Sequence, residues 1–233
     1  VWVGEGEWAA LQIDNYTEVQ ASMSWRGAWF SSVGLAKKST VGSNRTLDQK
    51  AAFKLDLNQY EDHSIGGVQK LVLNNMVQDP TYVSEEAAYR LFRAAGVPAP
   101  RVGYARLSIN GVDWGLYALV EAVDDEFLER WFASGEGAMF EGAYGVDLEW
   151  AEIDLFEYDQ GPDPADRSAL EAVTAVLDGG PTDANVEALD ALVDLDEFLS
   201  NMAVEALILH WDGYTTANNY RLYQDPRSGR LSI

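Results

Sequence analysis

The sequence predicts an α+β fold in two parts, a β-rich stretch through residue 121 and a mostly helical stretch from 122 to 233. Three observations predict it. Apolar and polar residues alternate with a period of two in the first part, as in Val19, Ala21, Met23 and Trp25 against Gln20, Ser22, Ser24 and Arg26. Helix-start signals at Ser168, Thr182 or Asp183, and Asp194 crowd the second part. Between them, residues 121–124 read as an extended boundary where a sheet runs out and a helical region begins.

The first 60 residues read as strands, interrupted by a Ser-, Gly- and Lys-rich loop over residues 27–45. Phe53, Leu55 and Leu57 face one side of the next strand, and Lys54, Asp56 and Asn58 the other. Gly4-x-Gly6 lacks the third glycine of a phosphate loop and reads as chance. Val68, Leu71, Leu73 and Met76 precede an Asp79-Pro80 turn. A helix follows from Ser84, the N-cap, with Ala88, Leu91, Phe92 and Ala95 as its apolar stripe and Gly96 closing it. Residues 102–109 and 112–120 flank Asn110-Gly111, a type I′ hairpin signal.

Residues 125–132 look helical, and residues 133–167 look like an acidic loop. Ser168-x-x-Glu171 reads as a capping box, and Gly179-Gly180-Pro181 as a break before the next helix. The last helix opens at Asp194-x-x-Glu197 and carries Leu195, Phe198, Leu199, Met202, Ala206 and Leu209 at core spacing. It delivers His210 and Asp212 to a loop. Residues 220–224 and 230–233 then form strands around an Asp225-Pro226 turn.

Composition bounds the function. A 47% hydrophobic chain of 233 residues buries a core, and no apolar run is long enough to span a membrane. Sixteen basic against 38 acidic residues leave a net charge of −22, which repels nucleic acid. The absence of Cys removes disulfides and thiolate metal sites. A start at Val1 suggests a leader or tag already lost. Eight Trp and eleven Tyr either line a carbohydrate-binding face or fill the core, the commoner fate of aromatics.

The chemistry concentrates at residues 210–220. An Asp on a loop, a His two residues before it and Asn six and seven after it suit phosphoryl transfer. The carboxylate accepts a hydroxyl proton, and an amide holds a metal on the nucleotide phosphates. His210 reads as structural support for Asp212. Lys54 is either a phosphate-binding ammonium or an ordinary solvent-facing strand lysine.

The order of parts, a β-rich half with a Lys strand and an acid-capped helix, then helices, a His-x-Asp loop and a hairpin, is that of a bilobal protein kinase. Several stretches resemble the CotH kinase family of atypical protein kinases. They are Trp25-Arg26-Gly27, Phe53-Lys54-Leu55, Leu71-Val72-Leu73-Asn74-Asn75 through Asp79-Pro80, and Ala94-Ala95-Gly96-Val97-Pro98-Ala99-Pro100-Arg101. Asn110-Gly111 through Gly115-Leu116-Tyr117 to Glu121, and Asp212 through Asn219-Tyr220-x-Leu222-Tyr223, complete the set.

The resemblance implies a single kinase-like domain, 1–121 its β-rich N-lobe and 122–233 its helical C-lobe, that uses ATP and Mg²⁺ or Mn²⁺ to phosphorylate Ser or Thr of an extracytoplasmic or coat protein. Asp212 matches the catalytic Asp, and Asn219, with Asn218 second, the metal-binding amide. Lys54 matches the phosphate-binding Lys, Glu85 its ion-pair partner, Lys50 a second cation near the nucleotide, and Glu121 a residue touching the adenosine. Ile233 falls inside the final hairpin, so the resemblance implies truncation at or near the metal-binding segment. A non-catalytic surface binding or adhesion module on the same fold is the alternative. A glycoside hydrolase using Glu149 and Asp154 ranks below both.

Overall fold

A helix stands near the start, where the sequence suggested strand alone. Strand β1 (Trp2–Val3) leads through Gly4 into α1 (Glu5–Ile13), whose first turn carries Glu5 and Glu7 and whose buried residue is Leu11. The Gly4 carbonyl accepts the Trp8 N–H at 2.8 Å, so Gly4 starts a helix and is no part of a phosphate loop. The helix was hidden because its apolar residues follow no strong 3.6-residue stripe. The structure, a computed structural model, describes residues 1–13, 17–38, 42–132 and 134–233. They form two compact units, Val1–Tyr89 with Pro100–Phe127, and Arg90–Ala99 with Leu128–Ile233.

In the first unit, β2 (Glu18–Trp25) buries Val19, Ala21 and Met23, as the alternation requires. Arg26 and Gly27, at φ of 50° and 87°, turn it directly into β3 (Ala28–Lys38). The predicted loop over 27–45 is therefore corrected to an eleven-residue strand, with residues 39–41 outside the described residues, as are 14–16. Its second half is buried on both faces from Val33 to Lys37, which erases the period-two pattern. Strands β4 (Ala52–Asp56) and β5 (Lys70–Asn74) follow. Helix α2 (Ser84–Ala94) comes next, then β6 (Val102–Ile109) and β7 (Val112–Glu121).

These strands form one antiparallel sheet in the order β1-β2-β3-β4-β5-β7-β6. Asn110 and Gly111, at φ of 50° and 80°, make the predicted turn. The outer rims meet at one end. The Val1 amine donates to the Ser108 carbonyl, the Asn110 N–H to the Val1 carbonyl, and the Asn110 side chain bonds both backbone groups of Val3. Phe53, Leu55 and Leu57 point into the core with Val33, Leu35 and Tyr117. On the opposite face Tyr89 of α2 packs with Val72, Met76, Val102, Ala118 and Val120.

Asp79, not Ser84, caps α2, because its carboxylate accepts the Ser84 N–H at 2.8 Å and the Thr81 hydroxyl at 2.6 Å. Helix α3 (Asp125–Phe132) begins under Asp124, whose carboxylate accepts the Phe127 N–H at 3.2 Å.

The second unit corrects the predicted loop over 133–167, of which residue 133 lies outside the described residues. It holds β8 (Met139–Glu141), a short 3-10 helix (Ile153–Leu155) and β9 (Glu157–Gln160), elements too brief for periodicity to register. Helices α4 (Ser168–Asp178), α5 (Asp183–Leu192) and α6 (Leu195–Ile208) lead to β10 (Arg221–Gln224) and β11 (Leu231–Ser232). The four strands run β11-β10-β8-β9 over a core of Phe140, Phe156, Leu170, Val173, Tyr220 and Leu222.

Thr182 and Asp194 cap α5 and α6 as expected, accepting the N–H groups of Asn185 and Glu197. The Ser168 capping box is a correction: Arg167 occupies the N-cap without a side-chain bond, and Asp166 accepts the Ser168 N–H instead. The buried residues of α6 are Asn201, Val204 and Glu205, while Leu199 and Leu209 of the predicted stripe are exposed. A helix apolar on several sides has no single face for spacing to identify.

Candidate functional site

Helix α6 ends in the left-handed conformation at Leu209 (φ 56°), and the His210 N–H returns to the Glu205 carbonyl at 2.9 Å. The chain then loops through Asp212 and Gly213 into a single 3-10 turn (Tyr214–Thr216), which Ala217 closes at φ 47°. Two tyrosines, packed edge to face, pin the loop to the core. Tyr214 packs edge-on against Phe198 at 5.0 Å and Tyr220 at 4.9 Å, and the Tyr220 hydroxyl donates to the Val146 carbonyl at 2.6 Å. Burial pushes both hydroxyls above the ordinary tyrosine range, so they stay neutral donors.

Asp212 is held from two sides. The Asn218 amide nitrogen donates to its Oδ1 at 2.8 Å, and the Asn219 amide nitrogen donates to its backbone carbonyl at 2.8 Å. Both amides thus spend their nitrogens on Asp212, which leaves their oxygens as the atoms available to a hard cation. His210 Nδ1 lies 3.6 Å from the Glu205 carboxylate. Glu205 is the residue the sequence reading missed. Its one sequence-level signal is an acid in the last turn of a helix, where the macrodipole opposes it.

The first unit holds the remaining candidates. Lys54 is exposed on β4, between Ala36 of β3 and Val72 of β5. Glu85 accepts a hydrogen bond from the Asn74 side chain at 2.8 Å, and the ammonium whose charge acts on it belongs to Lys38. Burial raises the Glu85 carboxyl above its usual range, and Lys38 and Asn74 pull it back. Register explains the pairing: Lys38 stands opposite Ala52 on the same sheet face as Asn74, while Lys54 belongs to the neighbouring row. Lys38 escaped the sequence reading because it lies in the stretch read as a loop.

Lys50 is committed to structure. Its ammonium donates to the Leu116 carbonyl at 2.7 Å and sits over the rings of Tyr117 and Tyr82, at 4.9 and 5.6 Å from their centres. Desolvation lowers its pKa. Glu121 is buried and accepts from the guanidinium of Arg101 at 2.8 Å and from the Arg101 N–H at 2.9 Å. It lines a cavity of about 450 Å³ walled by Met23, Trp25, Leu55, Leu73 and Leu119. The guanidinium groups reaching that cavity are paired, Arg101 with Glu121 and Arg106 with Asp113. Glu149 and Asp154 both lie exposed around the 3-10 helix of the second unit.

Comparison with known proteins adds independent observations. The family described as CotH kinase protein matches residues 24–233. Invasin CotH2 of Rhizopus delemar is 26% identical over 178 residues, 70% of this chain and 30% of the relative. Invasin CotH3 of the same fungus is 25% identical over 169 residues, covering 66% and 28%. Inner spore coat protein H of Bacillus subtilis is 22% identical over 184 residues, covering 75% and 50%. The chain therefore spans under a third of the length of these invasins and half of the spore coat protein. No helix among the described residues is long and apolar enough to cross a membrane.

Proposed function

Since the chain belongs to the CotH kinase protein family, we propose that it is an atypical, bilobal kinase-like protein acting on a protein outside the cytoplasm. It transfers the γ-phosphoryl group of ATP to a Ser or Thr hydroxyl, with the β-rich and helical parts as its two lobes. The relatives named as invasins and as a spore coat protein support the surface location.

The observation that carries the reading is the closed loop at residues 212–219. The Asp212 carboxylate has Oδ1 anchored by Asn218, which leaves Oδ2 to take or orient the proton of an attacking hydroxyl. The amide oxygens of Asn219 and Asn218 are neutral hard donors, and would be the atoms to hold Mg²⁺ or Mn²⁺. The metal would supply neutralisation of phosphate charge. Of Lys38 and Lys54 on the outer sheet face, we assign the phosphate-facing ammonium to Lys38, because its charge reaches Glu85; Lys54 is the second choice. Lys50 and Glu121 hold the first unit together and act on nucleotide only through its shape.

The test is transfer of radiolabelled phosphate from ATP to a generic Ser/Thr protein. Asp212→Ala is expected to cut the rate by about 10²–10⁴-fold. Its fold, followed by circular dichroism, is expected to survive. Transfer at the wild-type rate would remove the mechanism.

The relatives named as invasins also support a second reading, a non-catalytic binding or adhesion module. Mg·ATP separates the two. A nucleotide-binding kinase is expected to gain about 2.7 kcal/mol at a ligand concentration a hundredfold above Kd. An adhesion module shows no rise in melting temperature.

A further inference from the structure

Glu205 occupies a position that disfavours an acid twice. It lies in the last turn of α6, where unpaired carbonyls already concentrate negative charge, and that turn carries no basic residue. It is also 5% exposed, and a carboxylate removed from water persists only when hydrogen bonds or a cation replace the water.

The hydrogen bonds that replace the water come from one stretch of backbone. Oε1 accepts the Tyr214 N–H at 3.0 Å, Oε2 accepts the Thr215 N–H at 3.4 Å, and His210 Nδ1 lies 3.6 Å from Oε1. Those N–H groups open the 3-10 turn and have no partner within it. The N-cap there is Gly213, which offers no side chain to receive them. Nor is there room for one. A Cβ at Gly213 would stand 2.1 Å from Glu205 Oε1 and 2.4 Å from His210 Nδ1. Its φ of −116° suits any residue, so a side chain here would have to displace the Glu205 carboxylate and the His210 ring, and backbone conformation is no obstacle.

We propose that Glu205 is the positioning residue of the Asp212 loop. Its buried carboxylate gathers the backbone of residues 213–215 onto the end of α6, and so fixes where the Asp212 carboxylate and the Asn219 amide point. The link is short. Gly213 follows Asp212 directly, and the Gly213 carbonyl accepts both the Asn218 N–H at 3.2 Å and the Thr216 hydroxyl at 3.1 Å. Moving Gly213 therefore moves both ends of the Asp212–Asn218 pair. The catalytic consequence rests on the reading of Asp212 as the hydroxyl-orienting group; the structural half stands without it.

The experiment measures amide hydrogen exchange and phosphoryl transfer together, in wild type, Glu205→Leu and Glu205→Gln. Exchange at Tyr214 and Thr215 is expected to accelerate about tenfold or more in Glu205→Leu, the loss of about one hydrogen bond at each amide. Amides of β8 and α4, in the same unit as the loop, should keep their rates, which shows that this unit is folded. Glu205→Gln retains one acceptor oxygen and is expected to fall between. It carries the test if the Leu variant does not fold. In transfer, kcat is expected to drop in the order wild type, Gln, Leu, with the KM for Mg·ATP within about twofold, since an interaction that orients the hydroxyl-accepting group acts in the transition state. Unchanged exchange at both amides in both variants overturns the proposal. So does accelerated exchange with wild-type kcat. If wild type transfers no phosphate, the kinase reading fails, and the exchange rates alone decide whether Glu205 positions the loop.

Discussion

The two units differ in how they hold the candidate site groups. In the first, most candidate charges are bonded to scaffold: Lys50 to a carbonyl and two aromatic rings, Glu121 to Arg101, and Arg106 to Asp113. In the second, a loop of eight residues folds back on itself and converges a carboxylate and two amides. Charge in a sheet-rich body is mostly mortar. Polar side chains that close a short loop are left with unused lone pairs, and that is where ligand chemistry finds a foothold.

The largest effect that tests this contrast comes from Gly213→Ala. If the loop depends on close approach to Glu205, a methyl group there should destabilise the protein by about 1–3 kcal/mol, as overpacking does. Thermal unfolding measures it, and an unchanged melting temperature would mean the loop tolerates displacement. A smaller effect is expected for Lys50→Met. Loss of the bond to Leu116 and of the ring contacts should lower stability by about 1–2 kcal/mol in urea. Mg·ATP affinity should be unchanged. A fall in that affinity at full stability would put Lys50 back beside the nucleotide.

A pH-dependent effect concerns Asp124, whose carboxyl is pushed up to about 7, chiefly by burial and further by the charge of Glu126. One of its oxygens is buried without a partner. Between about pH 4 and pH 7 the folded state holds a proton that the unfolded state releases, so stability falls as pH rises through that window. Asp124→Asn keeps an acceptor for the Phe127 N–H and should flatten that slope, with the two proteins converging near pH 4. Parallel pH profiles would assign the slope to another group.

What was legible in the sequence was what is local. Asn110-Gly111 makes its turn, Thr182 and Asp194 cap their helices, and Asp212, Asn218 and Asn219 lie within eight residues, so their meeting needed only one loop to close. What was not legible depends on distant partners. Lys38 gains meaning only when β3 exists and Asn74 and Glu85 arrive from elsewhere. The partners of Lys50 are 32 to 67 residues away, at Tyr82 and Tyr117. Strand β8 reads as loop because three residues carry no period, and its place comes from β10 and β9 on either side.

The tacks joining Val1 and Val3 to Ser108 and Asn110 also set an order of assembly. The hairpins at Arg26-Gly27 and Asn110-Gly111 need only two-residue turns, whereas the tacks join residues 107 or more apart and must first meet the entropy of closing so long a loop. The seam is therefore expected to close after both hairpins, which pulse-labelled amide exchange during refolding would check at Val3 and Asn110.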